Sequence, residues 1–113
     1  MMHEMKLNEN AFQNIKSGIK KFELRLYDEK RKNINIGDTI TFRNLNNLKD
    51  TITVKVLALL RYPTFDDFFK DIDYKQCGIA NSLEEKLERI HKFYTVEQEK
   101  EYGVLAIKIE ILK

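Results

Sequence analysis

Apolar and polar residues alternate in five stretches of the chain, and each stretch predicts a β-strand. The stretches are residues 2–7, 20–27, 39–43, 51 to about 60, and 104–112. In the second stretch, Phe22, Leu24 and Leu26 point to one face, while Glu23 and Arg25 point to the other. Strict alternation in the two longest stretches places these residues inward: Ile52, Val54, Val56, Ala58, Leu60, Leu105, Ile107, Ile109 and Ile111.

Helical segments separate these strands. Asn8 is a favoured N-cap type and predicts a helix over about 9–17. Residues 63–69 predict a short helix whose three phenylalanines pack in the core. Residues 82–85 and 95–98 both have capping-box spacing, in which the fourth side chain reaches back to the first residue. Strands interrupted by helices, without regular βαβ alternation, predict an α+β fold of about five strands around a small mixed barrel.

Composition adds limits to this outline. The 113 residues are 42% apolar and 34% charged, which predicts one folded domain over 1–113 rather than a disordered chain. The one cysteine, Cys77, has no partner for an internal disulfide, which suits a reducing compartment. No stretch reaches the roughly 18 apolar residues of a membrane span, and the first residues lack a secretory signal. We therefore expect a soluble, cytoplasmic protein that does not bind membranes.

Charge is balanced overall and uneven locally. Twenty Lys and Arg against eighteen Asp and Glu give a net charge of +2, which excludes a bulk polycation. Residues 16–32 hold seven basic and three acidic residues, a local +4, whereas residues 82–101 have a local −2. Lys30, Arg31 and Lys32 extend the basic segment, and Tyr27 and Tyr62 are candidate stacking surfaces for single-stranded bases. The alternative is a lysine-rich surface that keeps the protein in solution.

The segment 18–25 holds the candidate chemistry. Gly18 ends a helix, Lys20 opens a strand, and Glu23 and Arg25 lie about 6.5 Å apart on one strand face. In a cleft, these residues would supply an ammonium, a carboxylate and a planar guanidinium that binds phosphate or carboxylate. The alternative is an exposed strand face with paired charges.

These residues resemble a known signature. Gly18, Lys20, Glu23 and Arg25 match the pattern G-x-K-x-x-E-x-R of the ASCH domain family. The segments 26–31, 37–38, 61–62, 93–94 and 99–107 are also similar to small stand-alone members of that family. The resemblance implies a PUA-like mixed β-barrel of about five to six strands with peripheral helices. It also implies a cleft beside the signature strand that binds RNA or a nucleoside- or nucleotide-like small molecule.

One branch of the same family contains small amidohydrolases that deacylate N4-acylated cytidine. Its signature is closer to G-x-K-T-x-T-x-R, so Lys20 and Arg25 match while Lys21 and Glu23 stand in place of the threonines. If the chain is such a hydrolase, Lys20 would be the base or nucleophile and Glu23 would hold its charge or relay a proton. Whether the chain is an enzyme stays open at this point.

Our leading expectation is a binding module. Lys20 and Arg25 would contact phosphate or base edges, Glu23 would accept hydrogen bonds from a base amino group, and the 30–32 run would attract the backbone. His3, His91 and Cys77 lack metal-ligand spacing, and no phosphate-binding loop or dinucleotide motif occurs, so we expect no metal and no cofactor. A third possibility is a partner protein that binds the acidic helix at 82–94.

Overall fold

The computed structural model describes residues 1–112 and has a curled, half-barrel sheet of five strands with four helices. The strands are β1 (Met2–Leu7), β2 (Phe22–Leu26), β3 (Thr39–Asn44), β4 (Asn47–Tyr62) and β5 (Val104–Ile111). The helices are α1 (Glu9–Lys16), α2 (Phe65–Asp71), α3 (Leu83–Phe93) and α4 (Val96–Tyr102). Short 3₁₀ turns lie at Arg31–Asn33 and Tyr74–Cys77. The predicted α+β class is confirmed.

The strand order is β1-β3-β4-β5-β2, so the first two strands of the chain form the two edges of the sheet. β1 runs parallel to β3, and every other neighbouring pair is antiparallel. The sheet curls so that its two edges come close together. Nη2 of Arg25 in β2 donates to the main-chain oxygen of Lys6 in β1 at 3.4 Å. The two edge strands therefore flank one opening.

Apolar side chains pack on both sides of the sheet. The first, called the α1 cluster, lies under α1 and includes Phe12 and Ile15 of that helix. The second, called the α2 cluster, lies under α2 and includes Phe65, Phe68 and Phe69, so the predicted core role of the three phenylalanines is confirmed. β5 contributes to both clusters. Its Val104 and Ala106, which alternation alone placed outward, are buried because helices cover that face.

The long strand β4 departs from its prediction in two places. It begins at Asn47 rather than near residue 51, because a turn of only two residues separates it from β3. Its pairing with β5 shifts register between Val56 and Ala58, which leaves one extra residue, Leu57. A bulge of this kind reverses the alternation beyond it. Leu59 therefore joins Val56 in the α1 cluster, and Leu60 packs in the α2 cluster instead of beside Val56.

Polar side chains begin the helices. The side chains of Asn8, Thr64, Ser82 and Thr95 each accept a hydrogen bond from a first-turn backbone N–H. The box at 95–98 is complete, as predicted. The prediction that Glu85 reaches back to Ser82 is wrong, because its carboxylate pairs with Arg89 one turn further along. In the described part of the chain, none of the helices is long and apolar enough to cross a membrane.

Candidate ligand-binding site

Lys20 is held in position by the backbone on both of its sides. α1 ends before Gly18, whose φ of +83° lies in the left-handed region that favours glycine. The N–H of Lys20 then donates to the Asn14 carbonyl at 2.9 Å, and the N–H of Lys21 donates to the Gln76 carbonyl at 2.7 Å. The segment that leads into β2, which carries the Lys20 side chain, is therefore hydrogen-bonded to α1 and to the second 3₁₀ turn.

Glu23 is the centre of a buried group of three charges. Its Oε1 lies 2.9 Å from Nζ of Lys20, and its Oε2 lies 3.0 Å from Nη2 of Arg25. Burial by itself would raise the pKa of Glu23, but the charges and hydrogen bonds of Lys20 and Arg25 lower this pKa to about 2. Glu23 is therefore a carboxylate at neutral pH.

The alternation of β2 explains why these charges lie on one face. Phe22, Leu24 and Leu26 pack into the α2 cluster, so Glu23 and Arg25 must point to the opposite side of the strand. There they line a cleft of about 540 Å³, within the usual size range of small-molecule sites. Lys20, Glu23 and Arg25, the three signature side chains, thus meet in one cleft.

The cleft is lined by both edge strands and by α1 and α3. Its ionisable lining consists of five cations, one carboxylate, one thiol and one phenol, namely Lys6, Lys20, Arg25, Lys86, Arg89, Glu23, Cys77 and Tyr94. Asn8, Asn10 and Asn14 add amide groups from α1 and its cap. The lining therefore favours an anionic ligand.

α3 contributes a face that the sequence analysis did not assign to the site. Lys86, Arg89, Ile90 and Phe93 have the spacing of one helical face, and all four line the cleft. Nζ of Lys86 donates to the Cys77 carbonyl at 2.7 Å, and Nη1 of Arg89 donates to the Ile79 carbonyl at 2.7 Å. The summed charge of residues 82–101 is −2 and gives no sign of this cationic face. A helical wheel of α3 separates Lys86 and Arg89 from Glu84 and Glu88.

Exposed apolar side chains surround the mouth of the cleft. Leu45, Ile79 and Phe93 all line it, and Phe93 is 68% exposed. Large apolar groups with this exposure usually mark a contact surface. A flat ring at the entrance of a cationic cleft is the arrangement on which a base can stack.

The remaining basic residues predicted for the site lie elsewhere. Lys30 and Arg31 line a second groove of about 420 Å³, which shares Lys6 and Arg25 with the cleft. Lys32 lines neither space; its Nζ pairs with Glu29 at 3.0 Å and lies 5.6 Å from the centre of the Tyr27 ring.

Neither predicted stacking tyrosine lines the cleft. The guanidinium of Arg61 lies over the Tyr27 ring, 3.8 Å from its centre. The Tyr62 hydroxyl donates to Asp71 at 2.8 Å, and the ring packs edge-on against Phe68. Both rings are thus engaged within the protein, and the ring at the mouth of the cleft is Phe93.

Cys77 lines the cleft as a thiol rather than a thiolate. It is buried, and burial raises its pKa to about 12 in spite of the nearby charges of Lys20 and Lys86. A thiol with so high a pKa is a poor nucleophile at neutral pH. Within residues 1–112, no three His, Cys, Asp or Glu side chains come together as a metal site requires.

The chain is similar over nearly its full length to two solved structures. The crystal structure of hypothetical protein PH0355 is 39% identical, with a TM-score of 0.88, and the match covers 99% of this chain and 100% of that one. The solution structure of protein PF0455 from Pyrococcus furiosus is 38% identical, with a TM-score of 0.80, and the match covers 100% and 99% of the two chains. None of the curated proteins matches the sequence.

More distant structures identify the fold. An ASCH domain from Lactobacillus crispatus has a TM-score of 0.71 at 13% identity, and the match covers 97% of this chain and 79% of that one. A mutant ASCH protein from Zymomonas mobilis has a TM-score of 0.60 at 14% identity, over 95% and 66% of the two chains. These similarities confirm the PUA-like α+β fold. Since the ASCH domain model matches residues 5–113, the chain belongs to the ASCH domain family.

Proposed function

We propose that this protein binds RNA or a nucleotide-like ligand in the cleft beside β2. The observation that supports this most is the lining of the cleft, where five cations and one buried carboxylate surround a space of about 540 Å³ with an apolar mouth. Nucleotides combine the matching features, which are negative charge, a flat ring and hydrogen-bonding base edges.

The cations are suited to an anionic ligand because one carboxylate cannot balance them. Glu23 is shared between Lys20 and Arg25, and Glu85 pairs with Arg89. The hydrogen bonds of Arg25 to Glu23 and to the Lys6 carbonyl both leave from Nη2, and the Tyr94 side chain is a further neighbour of this guanidinium, which has five N–H donors in all. A guanidinium in this position can bind a phosphate oxygen while it stays paired with Glu23.

The Glu23 carboxylate and the Phe93 ring are suited to binding a nucleobase. Each carboxylate oxygen accepts up to two hydrogen bonds, so Glu23 retains acceptor capacity beyond Lys20 and Arg25. A base amino group that enters the cleft would use that capacity. Phe93, on the last turn of α3, lines the same cleft and would stack on the base. Base stacking on an aromatic ring contributes about 1–3 kcal/mol.

The geometry favours binding over the alternative, hydrolysis of an acylated nucleoside. With its pKa near 2, Glu23 has no proton to donate at neutral pH and is a weak base. The Lys20 side chain is engaged with Glu23, its Nζ lying 2.9 Å from Oε1. Turnover of N4-acetylcytidine that disappears in Lys20→Met, with the fold intact, would reverse this preference.

Phe93 provides the test of the proposal. We expect Phe93→Ala to weaken binding of a ten-nucleotide single-stranded RNA by about 5- to 100-fold, because the variant loses the stacking surface at the mouth. The exposed side chain can be removed without opening a cavity in the core. Fluorescence anisotropy at several salt concentrations would measure the affinity.

Tyr102→Ala is the matched control, since Tyr102 is an exposed aromatic residue of α4 that does not line the cleft. Its affinity for the RNA should equal that of the parent protein. No binding of RNA or nucleotide by the parent at low salt would overturn the proposal. So would equal affinities of the two variants.

A further inference from the structure

A second groove continues from the cleft past Arg25, between β1, β3 and the turn that follows β2. Its charged lining contains five cations and one carboxylate, namely Lys6, Arg25, Lys30, Arg31, Arg43 and Glu4. Glu4 already pairs with Arg43, its oxygen lying 2.9 Å from Nη2. Within the groove, no carboxylate therefore balances Lys6, Lys30 or Arg31.

Arg31 is held in this groove with an unused donor. Its backbone N–H donates to both the carbonyl and the carboxylate of Asp28 at 3.1 Å, which fixes the turn. Its side-chain Nε is buried and has no hydrogen-bond partner among residues 1–112. Buried donors in native proteins are nearly always paired, so an unpaired one is a sign of a missing acceptor.

Arg31 also lies beside a charge of the same sign. Burial lowers the pKa of Arg31, and the nearby positive charge of Arg25 lowers it further. The nearby carboxylates of Asp28 and Glu23 act in the opposite direction and offset part of this repulsion. A phosphate in the groove would offset the remaining repulsion, and its oxygens match the planar donor fork of arginine. The buried Nε would join these contacts only if the Arg31 side chain turned towards the groove.

We propose that this groove binds a phosphate of the ligand whose base occupies the cleft, with Arg31 and Lys30 as its contacts and Arg25 between the two subsites. This inference rests on the proposed function and narrows it. The ligand is a phosphorylated nucleotide or an RNA chain rather than a free nucleoside. Lys6 and Arg25 line both spaces, so one ligand can span them.

The double variant Lys30→Gln/Arg31→Gln tests the groove, and Lys100→Gln/Lys108→Gln is its control. The control removes two exposed lysines that line neither space. The probes are a ten-nucleotide single-stranded RNA, adenosine and cytidine, and the two 5′-monophosphates. Lys30→Gln alone, at an exposed position, provides a second variant if the double variant fails to fold.

We expect the groove variant to bind the RNA at least tenfold more weakly than the control. The slope of log affinity against log salt should become shallower by about 1.4, because each lost single-strand phosphate contact removes about 0.7. Adenosine and cytidine should bind both proteins equally. If the groove variant also binds the monophosphates more weakly, a terminal phosphate is enough to occupy the groove. If only its affinity for RNA falls, the groove binds a phosphodiester. Either result supports the groove.

Two other results would count against these ideas, and they can be told apart. If the parent protein binds RNA and the groove variant retains both its affinity and its salt slope, the phosphate groove is wrong and the proposed function stands. If the parent binds neither RNA nor nucleotides at low salt, the proposed function fails and the groove fails with it. Circular dichroism and thermal melting of each variant exclude unfolding as the cause.

Discussion

At the scale of single residues, Glu23 is buried between two cations, Lys20 and Arg25. Removing one member of such a group leaves an unpaired charge in a dry environment, which typically costs about 3–5 kcal/mol. The pKa of Glu23 is lowered from 4.5 to about 2, so the folded state holds the carboxylate charged over a pH range in which the unfolded chain binds a proton. Stability therefore falls as the pH drops through this range.

The acid sensitivity of Glu23 can be measured. The contribution of its ionisation to stability is complete above about pH 4.5 and is lost as the pH falls towards 2. We expect Glu23→Gln to be less stable than the parent at pH 7. The gap in the free energy of unfolding should close by about 3 kcal/mol by pH 2, the value that corresponds to this pKa shift. Urea unfolding at a series of pH values measures the gap.

Glu110→Gln is the matched control, since Glu110 is exposed on β5. Its stability should follow that of the parent at every pH. Asp38, whose pKa is also lowered to about 2 by hydrogen bonds from His3 and the Asn35 backbone, is present in all three proteins and cancels in the comparison. A gap for Glu23→Gln that stays constant with pH would show that ionisation of Glu23 does not couple to folding.

At the scale of elements, α3 both packs against the core and lines the cleft, and its composition alone does not show which residues serve which purpose. Leu87 and Ile90 pack against the α2 cluster, while Lys86, Arg89 and Phe93 line the cleft. Glu84 and Glu88 are exposed. The helix therefore presents cations towards the site and carboxylates to solvent, although acidic residues dominate its neighbourhood in the sequence.

This division predicts effects of different size for two double variants of α3. Lys86→Gln/Arg89→Gln should weaken RNA binding about tenfold, because it removes two cations from the cleft. Glu84→Gln/Glu88→Gln removes two charges of the same helix and should change the affinity by less than twofold. Anisotropy titrations at about 0.15 M salt compare them. Equal losses in both variants would indicate that the overall charge of the helix matters rather than the face that lines the cleft.

At the scale of the whole molecule, the fold brings the two charged segments together. The basic segment 16–32 supplies β2 and the turn after it, and the segment 82–101 supplies α3, which lines the same cleft as β2. The two segments thus form one site rather than opposite faces of the protein. A net charge of +2 is consistent with this arrangement, since the uncompensated cations are concentrated in the cleft and groove.

Local charge, rather than net charge, should therefore control binding. The triple variant Lys55→Gln/Lys100→Gln/Lys108→Gln lowers the formal net charge from +2 to −1, at exposed positions that line neither space. Screening at about 0.15 M salt limits such charges to about 8 Å, so we expect the RNA affinity to change by less than threefold. A loss as large as that of the Lys86→Gln/Arg89→Gln variant would contradict a local site.

Most of the elements could be predicted from local patterns. The alternation of 2–7 and 20–27, the N-caps at Asn8, Thr64 and Ser82, and the box at 95–98 depend on neighbouring residues alone. The bulge at Leu57 could not be predicted, because it arises from pairing with a strand about fifty residues further along the chain. The second buried face of β5 was missed for a similar reason, since helices distant in sequence cover it.

For the site, the sequence by itself determined the chemical groups and the strand face that they share. A G-x-K-x-x-E-x-R pattern places Glu23 and Arg25 on one side of a strand wherever that strand lies. Only the tertiary structure decided that this side is a cleft, that Phe93 rather than Tyr27 or Tyr62 lines it, and that Lys86 and Arg89 line it together with Lys20. These outcomes depend on how the sheet curls and where α3 packs, which are long-range contacts that no local pattern encodes.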